Sequence, residues 1–325
     1  MTEMKETMIG IGKDILVSLI ILGIILGSLY AFSGRWPPMV VIESGSMMHS
    51  EESKIGVIDP GDIVVVQESD KEDITTYVEG KATDYRRYGQ YGDVIIFEPA
   101  GDSREIPIIH RPVLYLEEND SVRGTFDIPT LQNLEFGTEW NSSQGEVHLG
   151  LEGTITLYDY GYKNNDLEID LSELNQGGYI TKGDNNDEID QISTRQLSPP
   201  VKEEWIKGRA RGELPWFGII KLAYIGRTEH IPSNSWNNFM ISLAIILLLP
   251  VIVELGSKIY HEMIKKEDKV INDPSTRTEN ISDNQQDSDS NQITEKSDKK
   301  EEKRRNVEGD ETQAETIEND EELNS

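Results

Sequence analysis

Two serines lie one residue apart in the segment ESGSMMHS, residues 43–50. A serine hydroxyl attacks a carbonyl carbon only when a neighbouring group accepts its proton, so Ser44 or Ser46 would need a base nearby in the folded chain. His49 is the base that is nearest in sequence. The segment therefore fits two interpretations, a nucleophile on a tight bend or an ordinary turn after a strand.

The chain contains five histidines, and two of them are candidates for the base. The other three lie in a polar insert or next to the second apolar segment: His148, His230 and His261. Ser-Glu-Glu-Ser follows His49 and predicts a solvated polar loop. His110 lies in IPIIHRPVLYL (106–116), a run typical of a β-strand, which can hold a side chain rigidly. A semi-buried structural histidine fits the same run.

A third segment, TKGDNNDEID (181–190), supplies carboxylates. Its acidic residues are Asp184, Asp187, Glu188 and Asp190. Such a cluster fits an Asp-rich turn or a calcium loop. No flanking helix is predicted and no glutamate stands at the twelfth position, so we expect no calcium site and no other metal or cofactor. The chain has no cysteine, which excludes thiol nucleophiles and Cys-ligated zinc.

Two apolar segments flank these candidate residues. Residues 15–32 carry no charge over about the length of a bilayer-spanning helix. Residues 236–256 are also predominantly apolar, and their Pro250 is tolerated in membrane helices. A cleaved signal peptide is the alternative for the first segment. Because its apolar run exceeds the usual core of about 7–15 residues, we expect a retained anchor within residues 1–35.

Basic residues set the predicted orientation. Before the second apolar segment the nearest basic residue is Arg227, whereas four lysines follow it: Lys258, Lys265, Lys266 and Lys269. Because cytoplasmic flanks are enriched in Lys and Arg, we expect the C-terminal part to be cytoplasmic. Two spans then place the N-terminus on the same side and residues 36–232 outside. The prediction is a multi-pass protein of the cell membrane with an extracytoplasmic domain.

This outer domain is predicted to be mainly β. Short runs rich in Val, Ile and Tyr are separated by Gly, Pro and Asp, and helical periodicity is scarce. The clearest runs are residues 58–67, 91–99, 106–116 and 153–160. Two polar inserts, about 68–90 and 117–176, interrupt them. We interpret both inserts as elaborations of one compact core rather than as a second domain.

The chain is acidic, with a formal net charge of −29 over 325 residues. Phosphate binding requires clustered Lys and Arg, so nucleic acid is excluded as a partner. Residues 267–325 hold 19 acidic and 8 basic residues, a net of −11, and almost no aromatic side chains. We therefore expect residues 257–325 to form a disordered cytoplasmic tail. Asn119 and Asn141 begin glycosylation sequons on the outer side.

In order along the chain, these segments resemble one protease family. SGSM follows the first apolar segment, and GDIVVV, YGDVIIF, IIHR and TKGDNNDEID come after it in that order. The series resembles the type I signal peptidases, specifically the archaeal and endoplasmic-reticulum branch. Bacterial relatives carry Lys-Arg where this chain has His110-Arg111. The resemblance extends to LPWFGIIKL (214–222) and does not cover residues 117–176 or the tail.

The resemblance implies a Ser-His-Asp mechanism on a signal-peptidase-type β domain. In the family the second serine of SGSM is the nucleophile and the histidine of the His-Arg pair is its base, which assigns Ser46 and His110. By the same resemblance Asp190 orients the histidine, Asp184 supports the site, and the Ser44 hydroxyl helps to bind the oxyanion. The opposite order of the two aspartates stays open, as does a turn-stabilising role for Ser44.

The implied function is the removal of N-terminal signal peptides from secreted precursors, by cleavage after a small residue at the outer membrane face. The implied partners are these signal peptides, the lipid bilayer and the protein-translocation channel. Two alternatives are kept: a protease of the same type dedicated to one surface or accessory precursor, and a catalytically silent membrane scaffold.

Overall fold

The computed structural model describes residues 2–192 and 198–271. The chain divides into two compact units, Met1–Ala244 and Ile245–Ser325. The first unit is mainly β, as predicted, and its paired strands are antiparallel. Its strands are β1 (Met39–Val41), β2 (Ile63–Gln67), β3 (Arg86–Arg87), β4 (Gln90–Tyr91), β5 (Ile95–Phe97), β6 (Ile108–Glu118), β7 (Phe126–Asp127), β8 (Trp140–Ser142), β9 (Thr154–Tyr160), β10 (Asn165–Asp170), β11 (Gly178–Lys182) and β12 (Ile206–Leu214).

Seven of these strands form the central sheet, in the order β1-β2-β12-β5-β6-β11, with β7 also paired to β6. β6 lies between β5 and β11, so both of its edges are hydrogen-bonded. Its register places His110 opposite Ile95 of β5, and Arg111 opposite Lys182 of β11. Because β6 is fixed on both sides, it is a rigid support for the candidate base.

β12 is a strand that the apolar pattern did not predict. Its sequence, IKGRARGEL, carries two arginines near its centre. Arg211 donates to Oδ1 of the buried Asp93 at 2.9 Å, and Arg209 lies 3.7 Å from Oδ2 of the same carboxylate. Pairing with Asp93 therefore lets these basic side chains occupy a strand in the middle of the sheet.

The longer predicted insert, 117–176, folds onto the central sheet. Its β8, β9 and β10 form a separate three-stranded sheet in the order β10-β9-β8. Trp140 and Leu157 of this small sheet belong to the same buried apolar cluster as Leu114 and Leu116 of β6. The insert is therefore attached to the central sheet through this shared apolar core, although its sequence is largely polar.

The shorter predicted insert, 68–90, contains a helix, α2 (Tyr77–Thr83). Thr76 caps its start: its hydroxyl accepts from the N–H of Glu79, and the Glu79 carboxylate accepts from the N–H of Thr76. This reciprocal cap satisfies two amides that have no partner within the helix. The helix packs on β6 through Tyr77 and Val78, so this insert also contributes to the core.

Within the described residues, two helices are long and apolar enough to cross a membrane. The first, α1 (Thr2–Ser33), has its apolar window at Gly12–Ser33. A short helix, α3 (Ile219–Ile225), precedes the last one, α4 (Ser233–Ile271), whose apolar window is Ser233–Lys265. The apolar side chains in these windows are largely exposed, as lipid-facing side chains are.

The predicted start of the tail at residue 257 is wrong. α4 continues without a break through residues 257–271, because this segment has Ile259, Met263 and Ile264 at helical spacing and no Gly or Pro. The remainder of the predicted tail, 272–325, lies outside the described residues.

Candidate active site

The two serines lie on a turn, residues 44–48, between β1 and β2; we call it the nucleophile turn. The N–H of Met48 donates to the carbonyl of Gly45 at 3.2 Å, which closes the bend. Met47 is buried in an apolar cluster with Ile42 and Val64, so it anchors the turn from below. The residue directly after Ser46 is therefore fixed in the apolar core, which holds this part of the turn in place.

Ser46, His110 and Asp190 form one chain of hydrogen bonds. Ser46 Oγ lies 3.0 Å from His110 Nε2, and His110 Nδ1 lies 2.7 Å from Asp190 Oδ2. The imidazole and the carboxylate are both buried. With Nδ1 donating to the carboxylate, Nε2 is left as the acceptor for the serine proton. Of the two aspartates, it is Asp190 that contacts the histidine.

The carboxylate of Asp190 is held by its own neighbours. The Thr181 hydroxyl donates to the same Oδ2 at 2.7 Å, and the Gln191 amide donates to that hydroxyl at 3.2 Å. The N–H of Asp190 also donates to the carbonyl of Thr181 at 2.9 Å. These bonds fix the position of the carboxylate behind the imidazole.

Gly183 lies close to both Ser46 and His110. A Cβ at this position would lie 2.7 Å from the carbonyl oxygen of Ser46 and 2.9 Å from His110 Nε2. Both distances are shorter than real Cβ contacts allow. The glycine of the GDNN segment is therefore required by close approach to the serine and the histidine.

Ser44 directs its hydroxyl toward Ser46. Its Oγ lies 3.2 Å from Ser46 Oγ. At this distance the hydroxyl is beside the atom that would bond to a substrate carbonyl carbon, so it can reach an oxyanion formed there.

Asp184 lies away from the imidazole of His110 and binds Arg111. Arg111 Nε donates to Oδ1 at 2.8 Å and Nη2 donates to Oδ2 at 2.7 Å, in a fully buried fork. Burial by itself would raise the pKa of Asp184, but Arg111 and a contact from His49 outweigh it and lower that pKa to about 2. The carboxylate therefore stays charged and joins the segment that carries His110 to the segment that carries Asp190.

His49 is not the solvated loop histidine that its neighbours predicted. Its Nε2 lies 2.9 Å from Asp184 Oδ2, its ring stacks on Tyr162 at 4.5 Å, and its side chain is only 12% exposed. The partners are 135 and 113 positions away, so the local polar sequence could not reveal them. His49 is nevertheless not the base in this geometry, because His110 occupies that place beside Ser46.

The remaining predicted residues lie outside this chain of bonds. His230 lines the groove next to the site, and His148 lies in the insert, where its carbonyl accepts from Ile128 at 2.8 Å. Asp187 pairs with Lys163 at 3.1 Å. Among the described residues, no group of three or more ligating side chains has the geometry to hold a metal ion.

A groove of about 1330 Å³ passes Ser46 and His110. Its apolar walls come from β1 and from the start of β6, and Ser46 and His110 line it between them. β1 is the terminal strand of the central sheet, with β2 on one side only. An extended chain in the groove would therefore lie beside a strand edge and reach the serine.

Neither the known protein-family models nor the curated proteins include a match to this chain.

Proposed function

We propose that this chain is a membrane-anchored serine endopeptidase that removes N-terminal signal peptides from secreted precursors. The observation that carries the proposal is the unbroken chain of bonds from Ser46 through His110 to Asp190. A buried Ser-His-Asp chain that opens on a groove is the arrangement by which serine hydrolases activate a hydroxyl. The order of the motifs, which resembles that of signal peptidases, supplies the substrate class.

The first step is acylation. Ser46 Oγ attacks the carbonyl carbon of the peptide bond as His110 Nε2 takes its proton, and the carbonyl oxygen becomes an oxyanion. Collapse of this intermediate breaks the C–N bond, and His110 returns the proton to the leaving amine. The released amine is the new N-terminus of the mature protein, and the signal peptide is left as an ester on Ser46. Water then repeats the sequence and hydrolyses the ester.

Ser44 and the main chain provide the groups that bind the oxyanion. The Ser44 hydroxyl, 3.2 Å from Ser46 Oγ, and the backbone N–H of Ser46 would donate to it. Asp190, 2.7 Å from His110 Nδ1, would stabilise the imidazolium that forms when His110 holds the proton. The step requires no metal or organic cofactor.

The groove suits an extended peptide. A substrate strand can pair with the outer edge of β1 and place its scissile carbonyl over Ser46. Apolar walls from Val41, Ile96 and Ile109 fit the uncharged residues that precede a signal-peptide cleavage point. Cleavage after a small residue is the specificity that we expect.

Anchoring by α1 and α4 fits this role. Two spanning helices would hold the β domain at the outer face, with the segment after α4 in the cytoplasm. The cleavage point of a precursor emerges at that surface while its signal sequence is still inserted. The translocation channel and the bilayer are therefore the expected neighbours.

The test is cleavage of several unrelated precursors by the full-length protein in lipid vesicles, with N-terminal sequencing of the products. We expect every precursor to be cut once, after a small residue, at the end of its signal peptide. If only one precursor is cut, the protein is a protease dedicated to that precursor rather than a general signal peptidase. If none is cut, although the protein is folded and inserted, the proposed function is wrong.

A further inference from the structure

The turn of the insert hairpin lies against the active site. This insert hairpin consists of β9, β10 and the turn at residues 161–164 between them. Two neighbouring side chains in the turn, Tyr162 and Lys163, reach the TKGDNNDEID segment and His49. We call this pair of residues the hairpin tip. It belongs to the part of the chain that the family resemblance does not cover.

The first route from the hairpin tip to the nucleophile runs through Asn185. The Tyr162 hydroxyl donates to Asn185 Oδ1 at 2.8 Å, and Lys163 Nζ donates to the Asn185 carbonyl at 2.7 Å. Asn185 in turn donates its N–H to the carbonyl of Ser46 at 2.8 Å and its Nδ2 to the carbonyl of Gly45 at 3.1 Å. Asn185 is therefore bound on one side by the tip and on the other by the nucleophile turn.

The second route runs through His49. The Tyr162 ring stacks on the imidazole at 4.5 Å with an interplanar angle of 21°, and the imidazole contacts Asp184 at 2.9 Å. His49 follows the nucleophile turn directly, and the next residues, 50–52, lie at or near the surface. The stack on Tyr162 thus secures the turn at its other end.

We propose that Tyr162 and Lys163 are positioning residues that hold Ser46 Oγ within reach of His110. This inference rests on the proposed serine-peptidase mechanism and deepens it. The distance between Ser46 Oγ and His110 Nε2 is 3.0 Å, and a displacement of about 1 Å in such a site lowers the rate by up to about a hundredfold. The nucleophile turn has Met47 as its buried anchor. The tip adds polar contacts to Asn185 on one side of Ser46 and the ring stack on His49 on the other.

A purely structural role for the tip makes a different prediction. The insert is attached to the sheet by its apolar core, which includes Trp140 and Leu157 and does not include Tyr162 or Lys163. Changes at the tip should therefore lower the rate of the chemical step while the unfolding midpoint and KM stay near their wild-type values. A structural role would move the midpoint instead.

Four variants separate the contacts. Tyr162→Phe keeps the stack on His49 and loses the bond to Asn185, and Tyr162→Ala loses both. Lys163→Met loses the bond to the Asn185 carbonyl, whereas Lys163→Arg keeps a donor there. Glu168→Gln, at an exposed position of β10 in the same hairpin, is the matched control. We expect kcat to fall about threefold in Tyr162→Phe and about tenfold in Tyr162→Ala and Lys163→Met, with partial recovery in Lys163→Arg.

The rate is measured in two ways on the full-length protein in vesicles. One is precursor cleavage. The other is the rate at which a small fluorophosphonate modifies Ser46, a reaction in which Oγ displaces fluoride from phosphorus and His110 takes the proton. The second reaction requires the activated serine and no peptide recognition. Labelling without precursor cleavage would therefore contradict the proposed substrate and leave the positioning role standing.

A double-variant cycle gives the deciding result. If Tyr162 acts through Asn185, then Tyr162→Phe/Asn185→Ala labels no more slowly than Asn185→Ala alone. Full additivity of the two changes, or wild-type labelling rates in both Tyr162→Ala and Lys163→Met, would overturn the inference.

Discussion

Arg111 and Asp184 meet as a buried fork, with Nε 2.8 Å from Oδ1 and Nη2 2.7 Å from Oδ2. Arg111 directly follows the proposed base, and Asp184 begins the turn that leads to Asp190. The remaining guanidinium N–H groups bind main-chain carbonyls of Arg87, Tyr91 and Gly92. This pair therefore connects three segments around the site without contacting the serine.

Asp184→Asn should destabilise the fold. Breaking a buried pair leaves Arg111 uncompensated, which costs about 3 kcal/mol at pH 7. Folding lowers the pKa of Asp184 from its ordinary value of 3.8 to about 2. The stabilisation of the fold by the ionised carboxylate is therefore present above about pH 4 and is lost as the pH falls through 2. The difference in the free energy of unfolding between wild type and Asp184→Asn should therefore shrink by roughly 2 kcal/mol from about pH 4 to pH 2.

The free energy of unfolding of both proteins is measured by chemical denaturation at pH 7, 4 and 2, with tryptophan fluorescence as the signal. Asp166→Asn, at an exposed carboxylate, is the control. A difference between wild type and Asp184→Asn that stays constant across the three pH values would contradict the prediction.

Asp190→Asn should lower kcat by about 10⁴ at neutral pH and leave KM nearly unchanged. The amide that replaces the carboxylate can donate to His110 Nδ1, which favours the tautomer that presents N–H rather than a lone pair to Ser46. Precursor-cleavage kinetics test this, with Asp166→Asn again as the control. An Asp190→Asn enzyme within tenfold of wild type would show that another group orients the histidine.

His110→Lys should be inactive, although bacterial members of the resembled family carry lysine at this place. A lysine amine here would form an ion pair with the buried Asp190 and stay protonated, so it could not accept the Ser46 proton. Cleavage is measured from pH 7 to pH 10. Recovery of wild-type activity in this range would mean that Asp190 does not restrict the choice of base.

Ser44→Ala should lower kcat by about a hundredfold, because one donor to the oxyanion is lost. KM should change little, since the hydroxyl lies beside the atom that would react. Ser50→Ala, outside the nucleophile turn, is the matched control. If kcat of Ser44→Ala is unchanged, the Ser44 hydroxyl stabilises the turn and does not bind the oxyanion.

Gly183→Ala should reduce activity sharply and lower stability by about 1–3 kcal/mol, because the added methyl group would meet His110 and the Ser46 carbonyl. Gly212→Ala on β12 is the control, since its nearest neighbour would lie 3.9 Å away. Cleavage rates and unfolding midpoints are measured for both. Equal behaviour of the two variants would contradict the close approach at Gly183.

The sequence was informative where short motifs carry the chemistry. The order of SGSM, IIHR and TKGDNNDEID led to three residues that the fold brings into contact over separations of 64 and 80 positions. The apolar segments likewise predicted the two candidate spanning helices. These signals are local in sequence, because each motif carries its own reactive side chain.

Two of the failures, at His49 and at β12, have a common physical cause. His49 is buried by Tyr162 and Asp184, both more than a hundred positions away, and its neighbours give no sign of them. β12 is a strand because Asp93 pairs with its arginines, which an apolar pattern does not predict. In each case a contact made only in the fold overrides the local composition.

The central claim is that Ser46 is the nucleophile. Its most direct test is the rate of precursor cleavage by wild-type protein and by Ser46→Ala, inserted equally into the same vesicles. We predict that Ser46→Ala lowers the rate by at least about 10⁴-fold with unchanged insertion and unfolding midpoint. Cleavage by Ser46→Ala at the wild-type rate would show that Ser46 is not the nucleophile.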